Sequence, residues 1–154
     1  MSALSETVKA SFAREYQVHG EALHRWVDPL SDEEFWRNPF GHGNSVGHLV
    51  LHLTGNLSYY IGTKIAATGY VRNRDLEFTE SSRPAKAEVL RRFDETLALV
   101  VKTIEEQSEG DWTKPFEAER DIESKVQFRA FLRCAAHLSH HVGQMIYLAR
   151  EQRK

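Results

Sequence analysis

The chain is poor in cysteine, with Cys134 as the one thiol among its 154 residues. A single thiol cannot form an intramolecular disulfide, and it cannot supply a cysteine-rich metal cluster. No apolar run approaches the roughly 20 residues that cross a bilayer, and the first ten residues lack the charged-then-apolar pattern of a secretory signal. We therefore expect a cytoplasmic protein with no membrane partner.

An excess of either charge is also missing. Lysine and arginine together number 20 against 22 aspartate and glutamate, which gives a formal net charge of −2. The basic residues are scattered along the chain, so no nucleic-acid partner is expected. A chain of this length can form one core without covalent cross-links. We predict a single domain over residues 1–154.

The sequence has no strand-like alternation of useful length and no internal repeat. Instead, four stretches carry apolar residues at intervals of three and four, the periodicity of amphipathic helices. They predict long helices over about 5–26, 45–68, 84–107 and 122–152. Residues 71–82 are polar and aperiodic, as is typical of a connector. We expect an all-α fold, a four-helix bundle with a long connector between the second and third helices.

Histidine, in contrast, is plentiful, with eight residues, and three of them occupy apolar stretches. His137 and His141 are four residues apart, so their side chains lie on one helix face. His52 lies in the second predicted helix. Buried imidazoles without partners cost about 1–3 kcal/mol each, and one shared metal ion would satisfy all three. We therefore predict His52, His137 and His141 as ligands of a metal with an open coordination position.

Other histidines compete for this role. His48 lies one turn before His52 and is either a fourth ligand or a pocket-lining neighbour. His140 lies about 100° from His141 around the helix, so both cannot face one site, and His140 has no partner at helical spacing. The remaining histidines in ordinary contexts are expected to be surface or hydrogen-bonded residues: His19, His24 and His42.

Other metal-binding motifs are missing. The H-E-x-x-H string of zincins does not occur, and a carboxylate di-iron bundle needs two E-x-x-H strings, whereas E21-A-L-H24 stands alone. Cys134 lies three residues before His137 and could approach the site. A lone helical cysteine is more often a small buried hydrophobic residue.

Several polar residues near the histidines could line a pocket. Asn56 and Tyr59 lie one and two turns after His52, where they could orient a substrate. Gln144 could do the same, or could hold a histidine in place, although each of the three could equally make an ordinary hydrogen bond. No carboxylate is evident near the three histidines, which leaves the general acid or base unidentified and disfavours hydrolysis. Gly143 is expected to allow close helix packing.

The two histidine motifs together resemble those of the DinB-like superfamily of metal-binding four-helix bundles, in particular a subgroup of uncharacterised bacterial proteins. The motifs are N44-S-V-G-H-L-V-L-H-L-T-G-N56 and H137-L-S-H-H-V-G-Q144, and the resemblance covers nearly the whole chain. It implies ligation by one histidine of the second helix and two of the fourth, which by motif are His52, His137 and His141. It also implies a homodimer that carries zinc, nickel or another divalent ion.

Characterised proteins of this superfamily include thiol-dependent transferases and isomerases that act on electrophiles. The resemblance therefore implies a metal-dependent enzyme that activates a low-molecular-weight thiol or a water for attack on a small electrophile. One alternative is a non-catalytic, stress-associated dimer whose ion fixes the bundle, with His48 as a fourth ligand. Another is an interaction module without metal. Three imidazoles suit several ions, so we expect zinc or nickel, with iron, manganese or copper as alternatives.

Overall fold

The computed structural model describes residues 1–154 and confirms the all-α prediction. Its α-helices are α1 Ala3–Val27, α2 Asp32–Trp36, α3 Val46–Leu57, α4 Leu76–Thr79, α5 Lys86–Glu105 and α6 Gln127–Gln152. A π-helical turn, Ser58–Thr63, continues α3, and a 3₁₀ turn spans Asp111–Thr113. No helix combines the length and the apolar composition that a bilayer span needs.

Serine side chains define the starts of three helices. The hydroxyl of Ser2 accepts a hydrogen bond from a first-turn amide of α1 at 3.2 Å, and that of Ser45 does the same for α3 at 3.2 Å. Ser31 and Glu34 form the capping box of α2. Each such cap stabilises a helix by about 1 kcal/mol. The cap at Ser45 also determines where α3 begins, and therefore which of its residues face the core.

The four long helices contact one another in a regular pattern, in which α1 packs against α5 and α6, and α3 packs against the same two helices. Their apolar stripes meet in one core that buries Tyr16, Leu53, Phe93 and Phe131 completely. The hydroxyl of Tyr16 donates to the carbonyl oxygen of Phe131 at 2.7 Å, so this buried phenol has the partner it requires. The contact of α3 with α6 brings the two histidine motifs to the same part of the molecule.

Several helix boundaries differ from those that the periodicity predicts. The second long helix is regular only to Leu57, and its π-helical turn ends at Thr63 rather than near residue 68. The connector is not structureless, since it contains α4. The last helix begins at Gln127 rather than at 122, because the carboxylate of Asp121 accepts backbone hydrogen bonds that hold the preceding residues in turns.

Close helix approaches occur at glycines other than the one that the motif suggested. A Cβ at Gly143 would meet no atom within 4 Å, so the prediction of close packing there was wrong. A Cβ at Gly47, in contrast, would lie 2.6 Å from the indole of Trp36. The absence of a side chain at Gly47 therefore allows α2 to pack against α3.

Candidate metal centre

Three histidines from α3 and α6 converge on one point. Nε2 of His52 lies 3.1 Å from Nε2 of His137, and Nε2 of His141 lies 3.0 Å from the same atom. One nitrogen from each ring lies within 4.8 Å of the other two. In a tetrahedral site with metal–nitrogen bonds of about 2.0–2.1 Å, the ligand nitrogens are about 3.3 Å apart. The three rings therefore need little adjustment to hold a single ion.

Hydrogen bonds at the outer nitrogens decide which atoms face this point. Nδ1 of His52 donates to Oε2 of Glu77 at 2.7 Å, and Nδ1 of His141 donates to Oε1 of Gln144 at 2.7 Å. With the proton on Nδ1, Nε2 of each ring presents a lone pair. Nε2 of His137 can carry at most one hydrogen, so it cannot donate a full hydrogen bond to both of these lone pairs. A cation between the rings would be bound by all three nitrogens, and the donor set therefore fits a divalent metal ion.

The environment of two of the rings, His137 and His141, also keeps them neutral. Burial, with smaller contributions from the neighbouring His141 and His52, lowers the pKa of His137 to about 3. Burial likewise lowers the pKa of His141, against an opposing effect of its hydrogen bond with Gln144. Metal ligation requires neutral imidazole, so these lone pairs are available at neutral pH.

A carboxylate does lie beside the three histidines, and the expectation that none is near was wrong. Glu77 of α4 is only 6% exposed and accepts from His52, while Arg72 donates from Nε to its Oε1 at 2.7 Å and from Nη2 to its Oε2 at 2.9 Å. Burial acts to raise the pKa of Glu77, but the hydrogen bonds from His52 and Arg72 outweigh it and hold that pKa below its usual value. Glu77 is thus an ionised acceptor that orients His52, and both of its oxygens are occupied.

Sequence reasoning missed Glu77 because the connector shows no periodicity. One signal was present, since Gly55 lies within α3, three residues after His52. A Cβ at Gly55 would overlap Oε1 of Glu77 and would lie 2.8 Å from its Cδ. The next connector residue, Phe78, packs on the ring of His52 with centroids 4.7 Å apart. A glycine inside a helical pattern can thus mark the close approach of another segment.

His48 and His140 lie outside this cluster. Nδ1 of His48 is 2.7 Å from the hydroxyl of Ser45, and its Nε2 is 3.0 Å from the carbonyl oxygen of Glu80. Both ring nitrogens are therefore engaged, and neither is among the converging atoms. His140 is exposed next to His141 on α6. The structure brings together three of the candidate histidines and leaves these two apart.

A cavity of about 350 Å³, which we call the inner cavity, opens beside the cluster, with His52 and His137 on its wall. Asn56 and Cys134 also line it. Burial raises the pKa of the Cys134 thiol to about 12, so this residue is a neutral thiol rather than a metal-binding thiolate. Four guanidinium groups line the same space: Arg72, Arg74, Arg120 and Arg133.

Tyr59 lines an adjoining cavity of about 670 Å³, the outer cavity, which shares Tyr60 and three arginines with the inner one. The hydroxyl of Tyr59 accepts from the backbone N–H of Glu119 at 3.2 Å, and that of Tyr60 donates to the carbonyl oxygen of Glu119 at 3.1 Å. These two tyrosines therefore hold the loop before α6. Both belong to the π-helical turn, a feature often found at functional sites.

Comparison with known proteins places the chain in a family. Residues 4–154 match the family described as "Protein of unknown function (DUF1572)". The chain belongs to this family. No curated protein and no solved structure matches it. The match to DUF1572 spans both histidine motifs and the connector that carries Glu77.

Proposed function

We propose that this DUF1572 protein is a divalent-metal-dependent enzyme of the DinB-like superfamily, and that its four long helices form the corresponding bundle. His52, His137 and His141 are the proposed ligands. The observation that carries the proposal is the convergence of three imidazole nitrogens within 4.8 Å of one another, with Nε2 of His137 only 3.0–3.1 Å from the other two. The neutral rings alone do not satisfy this arrangement, because a single N–H on His137 cannot serve the lone pairs of both His52 and His141.

Two features favour an enzyme over a structural metal site. Structural zinc sites are usually closed by four protein ligands, whereas catalytic sites keep three and an open position. His48, the residue that could have been a fourth ligand, is engaged by Ser45 and Glu80. The inner cavity also reaches His52 and His137 directly, so a small molecule has access to the proposed ion.

We propose that the reaction is the attack of a low-molecular-weight thiol or a water on a small electrophile. When bound, the divalent ion would act as a Lewis acid that lowers the pKa of the thiol or water in its open position. Glu77 and Gln144 hold the ligand rings of His52 and His141 in orientation. Both oxygens of Glu77 are occupied, so it does not serve as a free general base, and this favours a thiol over a water.

The ion itself is proposed to be zinc or nickel, with iron or manganese as alternatives, because imidazole suits several of these metals. We also propose a homodimer. Its support is the exposure of apolar side chains along α6, where Tyr147 is 72% and Leu132 is 42% exposed. Light scattering on the purified chain would measure the dimer directly.

The test begins with metal analysis of protein purified without a histidine tag, followed by anomalous scattering at the zinc and nickel edges. The metal-loaded chain is then mixed with a low-molecular-weight thiol and chlorodinitrobenzene, in which a sulfur–carbon bond forms as the carbon–chlorine bond breaks and the thiol proton is released with chloride. We expect thiol consumption above the uncatalysed rate in the wild type and in His140→Ala, and the uncatalysed rate in His137→Ala. Equal rates in both variants would refute the proposed site.

A further inference from the structure

We propose that the inner cavity is an anion-binding site, and that it takes a small molecule with a carboxylate or phosphate group. We infer that this molecule is a substrate of the metal-dependent enzyme, and that identification rests on the proposed function. The anion site itself is argued from residues outside the three histidines. It can therefore be tested separately from metal binding.

The charges around the inner cavity do not cancel. Arg72 is paired with Glu77, and Nη1 of Arg133 lies 3.0 Å from Oδ2 of Asp121. Arg74 and Arg120, in contrast, have no carboxylate within 4 Å. No acidic side chain lines the inner cavity, although Asp75 and Glu119 line the outer one. Two positive charges thus remain without an anionic partner.

Three of the four guanidinium groups lie near aromatic rings. Those of Arg72 and Arg133 each lie 5.7 Å from the ring centroid of Tyr60, which is only 4% exposed. The guanidinium of Arg74 lies 5.2 Å from the ring centroid of Phe78. The planar guanidinium group is well suited to bidentate hydrogen bonds with carboxylate or phosphate.

Arg120 occupies an unfavourable backbone conformation. Its φ is +63°, in a turn that the N–H of Asp121 closes by donating to the carbonyl oxygen of Ala118 at 3.3 Å. Left-handed backbone at a residue with a long side chain is unfavourable, and it persists where the surrounding structure imposes it, often at ligand sites. Tyr59 and Tyr60 bind the backbone of the preceding residue, Glu119, and so hold this turn against the π-helical turn.

Asn56 supplies an independent indication of a ligand. The residue is 7% exposed and lines the inner cavity, and its Oδ1 is buried without any hydrogen-bond partner. A buried amide oxygen in this state is unusual in a folded protein. A half-turn of the side chain exchanges the amide oxygen and nitrogen, so Asn56 can either accept from or donate to a molecule in the cavity.

The test is calorimetric titration of the full chain with inorganic phosphate and with succinate, using uncharged succinamide as the control probe. We expect at least one anion to bind and succinamide not to bind. Arg120→Gln should weaken anion binding about tenfold or more, in line with the loss of a charge-assisted hydrogen bond. Arg25→Gln, which removes the same charge from an exposed position on α1, should leave it unchanged. Tighter binding of phosphate assigns a phosphate ligand, and tighter binding of succinate assigns a carboxylate.

The metal content of the same samples separates this proposal from the previous one. Arg120→Gln should retain the wild-type metal content. Anion binding that depends on Arg120 in a chain that holds no metal would support the anion site and refute the metal-dependent enzyme. Stoichiometric metal without anion binding, or equal anion affinity in Arg120→Gln and wild type, would refute the anion site alone. Arg74→Gln gives a second measurement if the Arg120 variant does not fold.

Discussion

His24 and His52 both hydrogen-bond to carboxylates, yet the two regions around them are built for different purposes. His24 of α1 lies between Asp28 at 2.8 Å and Asp94 of α5 at 2.7 Å, and its side chain is 33% exposed. Burial acts to lower the pKa of His24, but the hydrogen bonds with the two aspartates outweigh it and raise the pKa. The side chain of His52 is only 7% exposed, with one carboxylate on Nδ1 and two imidazoles at Nε2.

The two regions differ in the cationic partners that their carboxylates have. Nothing but His24 bridges Asp28 and Asp94, so a proton on His24 gains two ionic partners. Glu77 already has a full cationic partner in Arg72. Nε2 of His52 faces Nε2 of His137 at 3.1 Å rather than a second carboxylate. A histidine beside a carboxylate thus forms a bridge between two aspartates at His24 and, at His52, part of a histidine cluster that could hold a metal ion.

Removing one of the three proposed ligands should have the largest effect on metal binding. We expect His137→Ala to abolish stoichiometric metal binding, because His137 is the ring that both other histidines approach. Metal analysis of untagged protein measures the outcome. His140→Ala, in the same helix, should retain the full metal content. A His137→Ala chain that still holds one ion would show that the ligand assignment is wrong.

Removing the carboxylate that orients His52 should have the next largest effect. Glu77→Gln should weaken metal affinity by about 10–100-fold, the usual range for a group that holds a metal ligand. It should also lower thermal stability, because Arg72 is left buried without its ionic partner. Glu88→Gln on the exposed face of α5 is the matched control. Competition with a chelator gives the affinity, and unchanged affinity in Glu77→Gln would contradict the role of Glu77.

A methyl group can test the approach of the connector without changing any charge. Gly55→Ala should displace the carboxylate of Glu77 and weaken metal affinity by about tenfold, towards the lower end of that range. Gly143→Ala, where the added Cβ meets open space, should leave the metal affinity unchanged and stabilise α6 by up to about 1 kcal/mol. Equal metal affinities of the two variants would mean that Glu77 does not need its position against α3.

The smallest effect should appear at His24 and should depend on pH. Because the folded-state pKa of His24 is raised, its contribution to stability is present below the unfolded value of about 6.5 and is lost as the pH rises through the folded value. We expect His24→Gln to lower the free energy of unfolding by less than about 1 kcal/mol at acidic pH and by nothing at alkaline pH. Urea unfolding at both pH values measures this loss. A larger loss at alkaline pH would contradict a raised pKa of His24 in the folded protein.

Much of the helical architecture could be predicted because apolar periodicity is a local property. The apolar stripes on α1 and α5 placed both helices to within a few residues of their observed ends. The prediction failed where side-chain hydrogen bonds compete with helical order. The π-helical turn after Leu57 contains Tyr60, which bonds to the distant Glu119, whereas the turns around Asp121 arise because its carboxylate accepts from the nearby backbone of Glu123 and Ser124.

The sequence by itself determined which histidines could share a site, because spacing along α6 puts His137 and His141 on one face whatever surrounds them. Only the tertiary structure decided that Glu77 and Arg72 stand behind His52, and that arginines from the connector, the loop and α6 meet in one cavity. These residues are far apart along the chain or lie in segments without periodicity. Their proximity arises from the packing of whole helices, which a local pattern does not encode.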